Sequence, residues 1–161
     1  MFNILFITCA IVAFVCTDIA HSHNVVIKSD YGGPVFEYIN AFEEFMDTDR
    51  TVEIRGLCYS ACTLAINDDF RDNTCISEDA VLGFHQPSIT DVYTGEVVED
   101  ASIALKVELR AYRDYFWDNY PQEVKDFLSI WGYPDAHVTG DVNEFSYMVY
   151  EDLKDFVRTC D

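Results

Sequence analysis

Basic residues are scarce in this sequence. Its 161 residues include 10 Lys and Arg against 29 Asp and Glu, which gives a net charge of −19. A charge of this sign repels the phosphates of nucleic acids and anionic lipid head groups. No basic patch interleaved with aromatic residues interrupts it. We therefore expect no nucleic-acid partner.

Internal repeats, low-complexity tracts and linker-like segments are also lacking, which argues against a repeat architecture or several domains. Half of the residues are hydrophobic and 15% are aromatic, so the chain can bury a full core and is neither disordered nor fibrous. The length is that of one domain, with or without a removable leader. We predict a single domain.

A continuous hydrophobic run occurs only in residues 2–16, and it is too short for a comfortable membrane span. Polar residues follow at 21–24, a pattern typical of a signal peptide, although no Lys or Arg precedes the run. We predict a signal peptide at residues 1–22 and a domain at 23–161, with an uncleaved anchor as the alternative. The expected protein is exported, periplasmic or extracellular, with no stable membrane insertion after signal cleavage.

Strand and helix patterns alternate along the remaining chain. Short β-branched or alternating runs predict strands at 24–29, 51–55 and 80–84, with a possible short strand before the last helix. Helical spacing of apolar residues occurs at 35–46, 60–66, 101–117, 121–131 and 150–157. Helices between strands imply right-handed crossovers, so we predict an α/β fold with a mainly parallel sheet and flanking helices.

Small and polar residues follow three of the predicted strands. Gly32 and Gly33 follow the first, Ser60 begins the helix after the second, and His85 closes the third. Each has an ordinary structural explanation, as a tight turn, a helix cap or a satisfied core histidine. Together, at one edge of a sheet, they would bring backbone amides, a hydroxyl and an imidazole to one place. Ser60 does not lie in a G-x-S-x-G motif, which excludes the α/β-hydrolase pattern.

These three motifs resemble those of the Clp protease proteolytic subunit and its crotonase-like relatives. The segment VIKSDYGGPV is similar to the strand and Gly-Gly turn of that family, and GLCYSAC resembles its nucleophile segment, especially in exported, cysteine-containing relatives. The segment GFHQP is similar to the family's His-Gln-Pro. The resemblance covers residues 25–156 and implies a crotonase-like fold.

The resemblance also implies roles for individual residues. Ser60 would be the nucleophile and His85 the general base, while the backbone N–H groups of Gly33 and Ala61 would form an oxyanion hole. No cofactor is implied.

The acid of the triad precedes the last helix in that family. Asp141 is the first choice here, with Glu144 and Asp135 as alternatives and Asn143 as an uncharged partner for His85. A Ser-Lys dyad with Lys106 is a further alternative.

Four of the six cysteines lie outside the leader: Cys58, Cys62, Cys75 and Cys160. In an exported chain they predict two disulfides, with three possible pairings. We expect Cys58 or Cys62 to pair with Cys75, which would fix the turn that carries Ser60. Zinc binding by Cys58-x3-Cys62 is the alternative, but no second tight Cys/His pair follows, and the acidic residues lack calcium-loop spacing. We expect no metal.

The sequence therefore predicts an exported serine hydrolase, a peptidase acting on a peptide or protein substrate, in a chain that the resemblance links with homo-oligomers. The alternative is a non-catalytic binding or assembly domain on the same scaffold. A third hypothesis is a small disulfide-bonded secreted protein in which the motifs are coincidental.

Overall fold

The computed structural model describes residues 24–89, 94, 98, 101–133 and 145–161. The predicted signal peptide lies outside these residues. The described strands are β1 (Val25–Asp30), β2 (Val52–Tyr59), β3 (Thr74–Ile76), β4 (Val81–Phe84) and β5 (Ser146–Val149). The described α-helices are α1 (Val35–Asp47), α2 (Ile103–Asn119), α3 (Gln122–Ile130) and α4 (Tyr150–Leu153), and 3₁₀ helices cover Ser60–Ile66 and Arg71–Asn73.

The five strands form one mixed sheet. Its order is β1-β2-β4-β5, and β3 pairs with the first half of β2 on the side where β4 pairs with the second half. β1, β3 and β4 all run parallel to β2. β5 runs antiparallel to β4, with Phe84 opposite Ser146 and Val81 opposite Val149.

The prediction of a crotonase-like fold was wrong, because the sheet is mixed: it is mostly parallel, as expected, but β5 runs antiparallel to β4. One helix between two strands carries the chain back across the sheet, so the next strand runs parallel to the first. Two helices, α2 and α3, separate β4 from β5. The chain therefore re-enters the sheet beside the end of β4 and runs backwards along it.

The hydrophobic core lies on the central strands. Ile54 of β2, Ile76 of β3 and Leu82 of β4 are fully buried, as are Leu128 of α3 and Leu153 of α4. The 3₁₀ helix that begins at Ser60 is buried from Ala61 to Ile66, because it packs against β2, β4 and helix α1. The segment that carries the candidate nucleophile is therefore held on a rigid support.

Helix α2 forms where the periodicity predicts it, with Ser102 as its N-cap. None of its residues is buried in the described part of the chain, and Ile103, Leu105 and Val107 are exposed. It contacts the core through partly buried Tyr115, Phe116 and Trp117 near its C-terminal end. The predicted apolar stripe therefore packs over only part of its length.

Two disulfides link the four cysteines outside the leader, which confirms that prediction. The bonds join Cys58 to Cys62 and Cys75 to Cys160, so the expected pairing of Cys58 or Cys62 with Cys75 was wrong. Cys75 lies in β3, and the backbone N–H of Cys160 donates to the carbonyl of Ile76 at 2.9 Å. The C-terminal segment thus runs beside β3, and it supplies the partner of Cys75 that was expected from the turn around Ser60.

Within the ranges that the structure describes, no helix is sufficiently long and apolar to span a membrane.

Candidate active site

Ser60 lies at the junction between β2 and the 3₁₀ helix. Its φ angle is +55°, a left-handed conformation that non-glycine residues rarely adopt; among the described non-glycine residues only Asp49 also has a positive φ. Strained backbone of this kind clusters at functional sites, where it orients a side chain. The conformation turns the chain sharply from strand to helix and leaves the Ser60 side chain at the strand end.

Two buried hydroxyl groups hold this turn from behind. The Oγ1 of Thr63 donates to the carbonyl oxygen of Ser60 at 2.6 Å, and it lies 2.6 Å from the hydroxyl of Tyr120. Because Thr63 has a single hydroxyl proton, Tyr120 is the donor in the second bond. Burial raises the pKa of Tyr120, so its hydroxyl keeps the proton that this bond needs. The backbone conformation of Ser60 is therefore stabilised from the core.

His85 follows β4 directly, and β4 pairs with the strand that ends before Ser60. The structure places His85 Nε2 2.5 Å from Ser60 Oγ, although 25 residues separate them in sequence. His85 is half-buried, and its Nδ1 atom is shielded from solvent. This distance is within hydrogen-bonding range for proton transfer from a hydroxyl to an imidazole.

The glycine turn after β1 lies directly against the Ser60 turn. A Cβ atom on Gly32 would lie 2.5 Å from Ser60 Cβ and 3.0 Å from the backbone nitrogen of Ala61. Gly32 also has a φ of +81°. Only glycine satisfies both the close approach and the backbone angle.

The two amides proposed for the oxyanion hole are at this contact. Gly33 is exposed, and its N–H makes no hydrogen bond with any residue that the structure describes. Ala61 lies in the first turn of the 3₁₀ helix, where N–H groups have no acceptor within the helix. Both donors are therefore available to a ligand oxygen near Ser60.

Replacing Gly32 with Ala is expected to lower the rate of reaction at Ser60 by about 100-fold or more, because displacement of a reacting group by about 1 Å has effects of this size. The added methyl group would meet Ser60 Cβ and the carbonyl oxygen of Tyr59 at 2.5 and 2.7 Å. Measurement of kcat and of thermal unfolding checks this.

Gly132→Ala is the matched control, since Gly132 has a similar φ of +84° and lies beyond α3. It should lose comparable stability from backbone strain while the rate at Ser60 stays the same. Equal rate losses in both variants would contradict the role of the Gly32 contact.

The Cys58–Cys62 disulfide encloses Ser60. Both cysteines are fully buried, and their Cα atoms are 5.3 Å apart. The bond links the end of β2 to the 3₁₀ helix on either side of the serine, and it uses both thiols that a zinc site would need. A disulfide therefore does stabilise the turn at Ser60, but it joins Cys58 to Cys62 instead of joining one of them to Cys75.

Aromatic side chains surround His85 and Tyr59. The Phe145 ring lies 4.7 Å from the His85 ring, and it also contacts Tyr59 with 5.3 Å between ring centroids. Tyr59 further contacts Tyr31 and Tyr147. Sequence reasoning missed this cluster, because only the antiparallel pairing of β5 with β4 brings Phe145 to His85.

An apolar pocket lies beside His85. Among the described residues that line it, Arg113 is the one charged side chain. The pocket lies between the end of β4 and helices α2 and α3. The lining residues are Phe84, His85, Pro87, Arg113, Phe116, Trp117, Tyr120, Leu128 and Tyr133.

The remaining predicted residues are not brought to Ser60 by the described structure. Asp135, Asp141, Asn143 and Glu144 lie outside the described residues. Lys106 is exposed on α2, where a long side chain is ordinarily solvated.

No protein-family model matches this chain, and no curated protein or solved structure matches it significantly. Within residues 24–89, 101–133 and 145–161, no group of three or more His, Cys, Asp or Glu side chains could hold a metal ion.

Proposed function

We propose that this chain is a serine hydrolase that cleaves acyl compounds, with peptides or proteins as its substrates. The observation that carries the proposal is the 2.5 Å separation of Ser60 Oγ and His85 Nε2, on a serine with a strained, left-handed backbone. A cap or core histidine requires neither this partner nor this conformation.

The reaction would follow the general course of serine catalysis. His85 Nε2 takes the hydroxyl proton as Ser60 Oγ attacks the carbonyl carbon of the substrate. The tetrahedral intermediate collapses to an acyl-serine when His85 returns the proton to the leaving group. A water molecule, deprotonated by His85, then releases the acid and regenerates Ser60.

The negative oxygen of the tetrahedral intermediate would be held by the N–H groups of Gly33 and Ala61. Donors aimed at this oxygen are each worth about 3 kcal/mol in known enzymes. The close approach of Gly32 to Ser60 and to the backbone nitrogen of Ala61 supports this assignment, because Gly33 directly follows Gly32.

We propose Asp141 as the acid that orients His85, with Glu144 and Asp135 as alternatives. Glu144 immediately precedes Phe145, whose ring contacts His85. Asp141 is only three residues further away, and each residue spans at most about 3.6 Å. The chain connection therefore permits either carboxyl group to approach the base.

The proposal of a peptide substrate rests on the resemblance of the Gly-Gly, serine and His-Gln-Pro motifs to those of the Clp protease family. We retain it as a proposal on these segments alone, since function belongs to a site rather than to a scaffold.

Both disulfides are consistent with an oxidising compartment. We propose that the protein acts in the periplasm or outside the cell.

The test is labelling of the oxidised protein with a fluorophosphonate, which reacts covalently with activated serines. We expect one label per chain, located on Ser60 by peptide mass mapping, and none in Ser60→Ala. The matched control is Ser29→Ala, since Ser29 is exposed on β1. A folded wild-type protein that takes up no label, or equal labelling of Ser60→Ala, would favour a non-catalytic binding domain.

A further inference from the structure

A carboxylate lies behind the glycine turn. The backbone N–H of Gly32 donates to Oδ1 of Asp30 at 2.8 Å, and the hydroxyl of Tyr38 donates to the same oxygen at 2.5 Å. One carboxylate oxygen therefore joins the end of β1, the glycine turn and helix α1.

This arrangement distinguishes the two glycine amides. The N–H of Gly32 already donates to Asp30, so it is not free to bind a substrate oxygen. The next amide, that of Gly33, makes no such bond within the described chain and is exposed. The bond to Asp30 thus fixes the Tyr31–Gly32 peptide, and the peptide that carries the Gly33 N–H is joined to it through the Gly32 Cα.

Tyr38 holds the same turn from the helix side. A Cβ on Gly33 would lie 3.4 Å from Cε2 of Tyr38, so the ring lies beside that residue. Burial raises the pKa of Tyr38, and the hydrogen bond and negative charge of Asp30 add to this effect. The phenol therefore stays protonated and remains a donor to Asp30.

In the sheet, Asp30 lies level with the segment that carries Ser60. Asp30 pairs with Cys58 across β1 and β2, two residues before Ser60. Gly32, two residues after Asp30, is the residue that lies against Ser60, so we expect a displacement at Asp30 to alter that contact.

We propose that Asp30 and Tyr38 are positioning residues for the oxyanion hole, which orient the Gly33 amide toward the reacting carbonyl oxygen of the substrate. This inference rests on the proposed function. Neither side chain touches the substrate in this role, so their effect falls on kcat more than on KM.

Substitutions that separate hydrogen bonding from charge test the proposal. Asp30→Ala removes the acceptor and should lower kcat for an ester substrate by about 10- to 100-fold, with KM changed by less than about threefold. Asp30→Asn keeps the Oδ1 acceptor for Gly32 and Tyr38, so it should recover most of the rate. Tyr38→Phe should give a smaller loss than Asp30→Ala. An ordinary stability defect would instead alter the melting temperature without this pattern.

A second measurement does not depend on turnover. The sequence has seven glycines, so selective ¹⁵N-glycine labelling of the Ser60→Ala protein gives a spectrum simple enough to follow the Gly32 amide. Asp30→Ala should shift that resonance and speed its hydrogen exchange, Asp30→Asn should keep exchange slow, and Gly132 should respond to neither.

The outcomes separate the two proposals. An active wild-type protein with an equally active Asp30→Ala variant, or an unchanged Gly32 amide in that variant, overturns the positioning role alone. A folded wild-type protein without any hydrolysis or labelling overturns the proposed function and the catalytic purpose of Asp30 with it.

Discussion

His85→Gln is expected to lower kcat/KM for ester hydrolysis by about 10⁴-fold or more, the scale seen when a serine hydrolase loses its base. The amide of Gln can form a hydrogen bond to Ser60 but cannot accept its proton at neutral pH. His85 is half-buried, so a side chain of similar length should leave the fold intact. Steady-state hydrolysis and the rate of fluorophosphonate labelling both measure the loss.

Two further sets of variants act as controls. The double variant Ser60→Ala/His85→Gln should be no slower than either single variant, because the two residues act as a unit. Asp141→Asn, Glu144→Gln and Asp135→Asn, assayed in parallel, should include one variant slowed by about 10³- to 10⁴-fold. If His85→Gln keeps more than a tenth of the wild-type rate, His85 is not the base.

Removal of the Cys75–Cys160 disulfide should cause the largest loss of stability. The bond closes a loop across 85 residues of sequence. Loop entropy for that length corresponds to about 4–5 kcal/mol, a large part of the roughly 5–15 kcal/mol that stabilises a typical domain. The double variant Cys75→Ala/Cys160→Ala should therefore unfold at clearly lower urea concentration and temperature.

The other disulfide provides the matched comparison. Cys58 and Cys62 are separated by only four positions, so the same entropy argument gives about 2 kcal/mol. Cys58→Ala/Cys62→Ala should lose less stability but more labelling rate at Ser60, because the bond encloses that residue. If the two double variants lose stability and labelling in equal proportion, the disulfides do not have separate roles.

The sequence predicts most of the local elements, and it predicts that residues at three strand ends lie together. A Gly-Gly pair after a β-branched run, a serine after an alternating run and a histidine at the end of an apolar run are all local patterns. The structure places Gly32 against Ser60 and His85 beside it. Chain direction alone brings these strand ends together, since β2 is parallel to both β1 and β4.

Local sequence patterns did not predict the features that depend on long-range pairing. Three residues are too few for periodicity to identify β3, and a strand pattern carries no information on whether β5 runs parallel or antiparallel. The contact of Phe145 with His85 depends on that direction. The cysteine pairing was missed because it depends on where the C-terminal segment returns to the sheet.

The bond between Cys75 and Cys160 has a consequence for proteolytic processing. It joins β3 to Cys160, and His85, helices α2 and α3 and strand β5 lie between its two ends in sequence. A single backbone cut anywhere between these cysteines therefore leaves both fragments covalently joined, and they separate only when a reductant is added. A nicked molecule would run as one species on a non-reducing gel, with Ser60 on one fragment and Cys160 on the other.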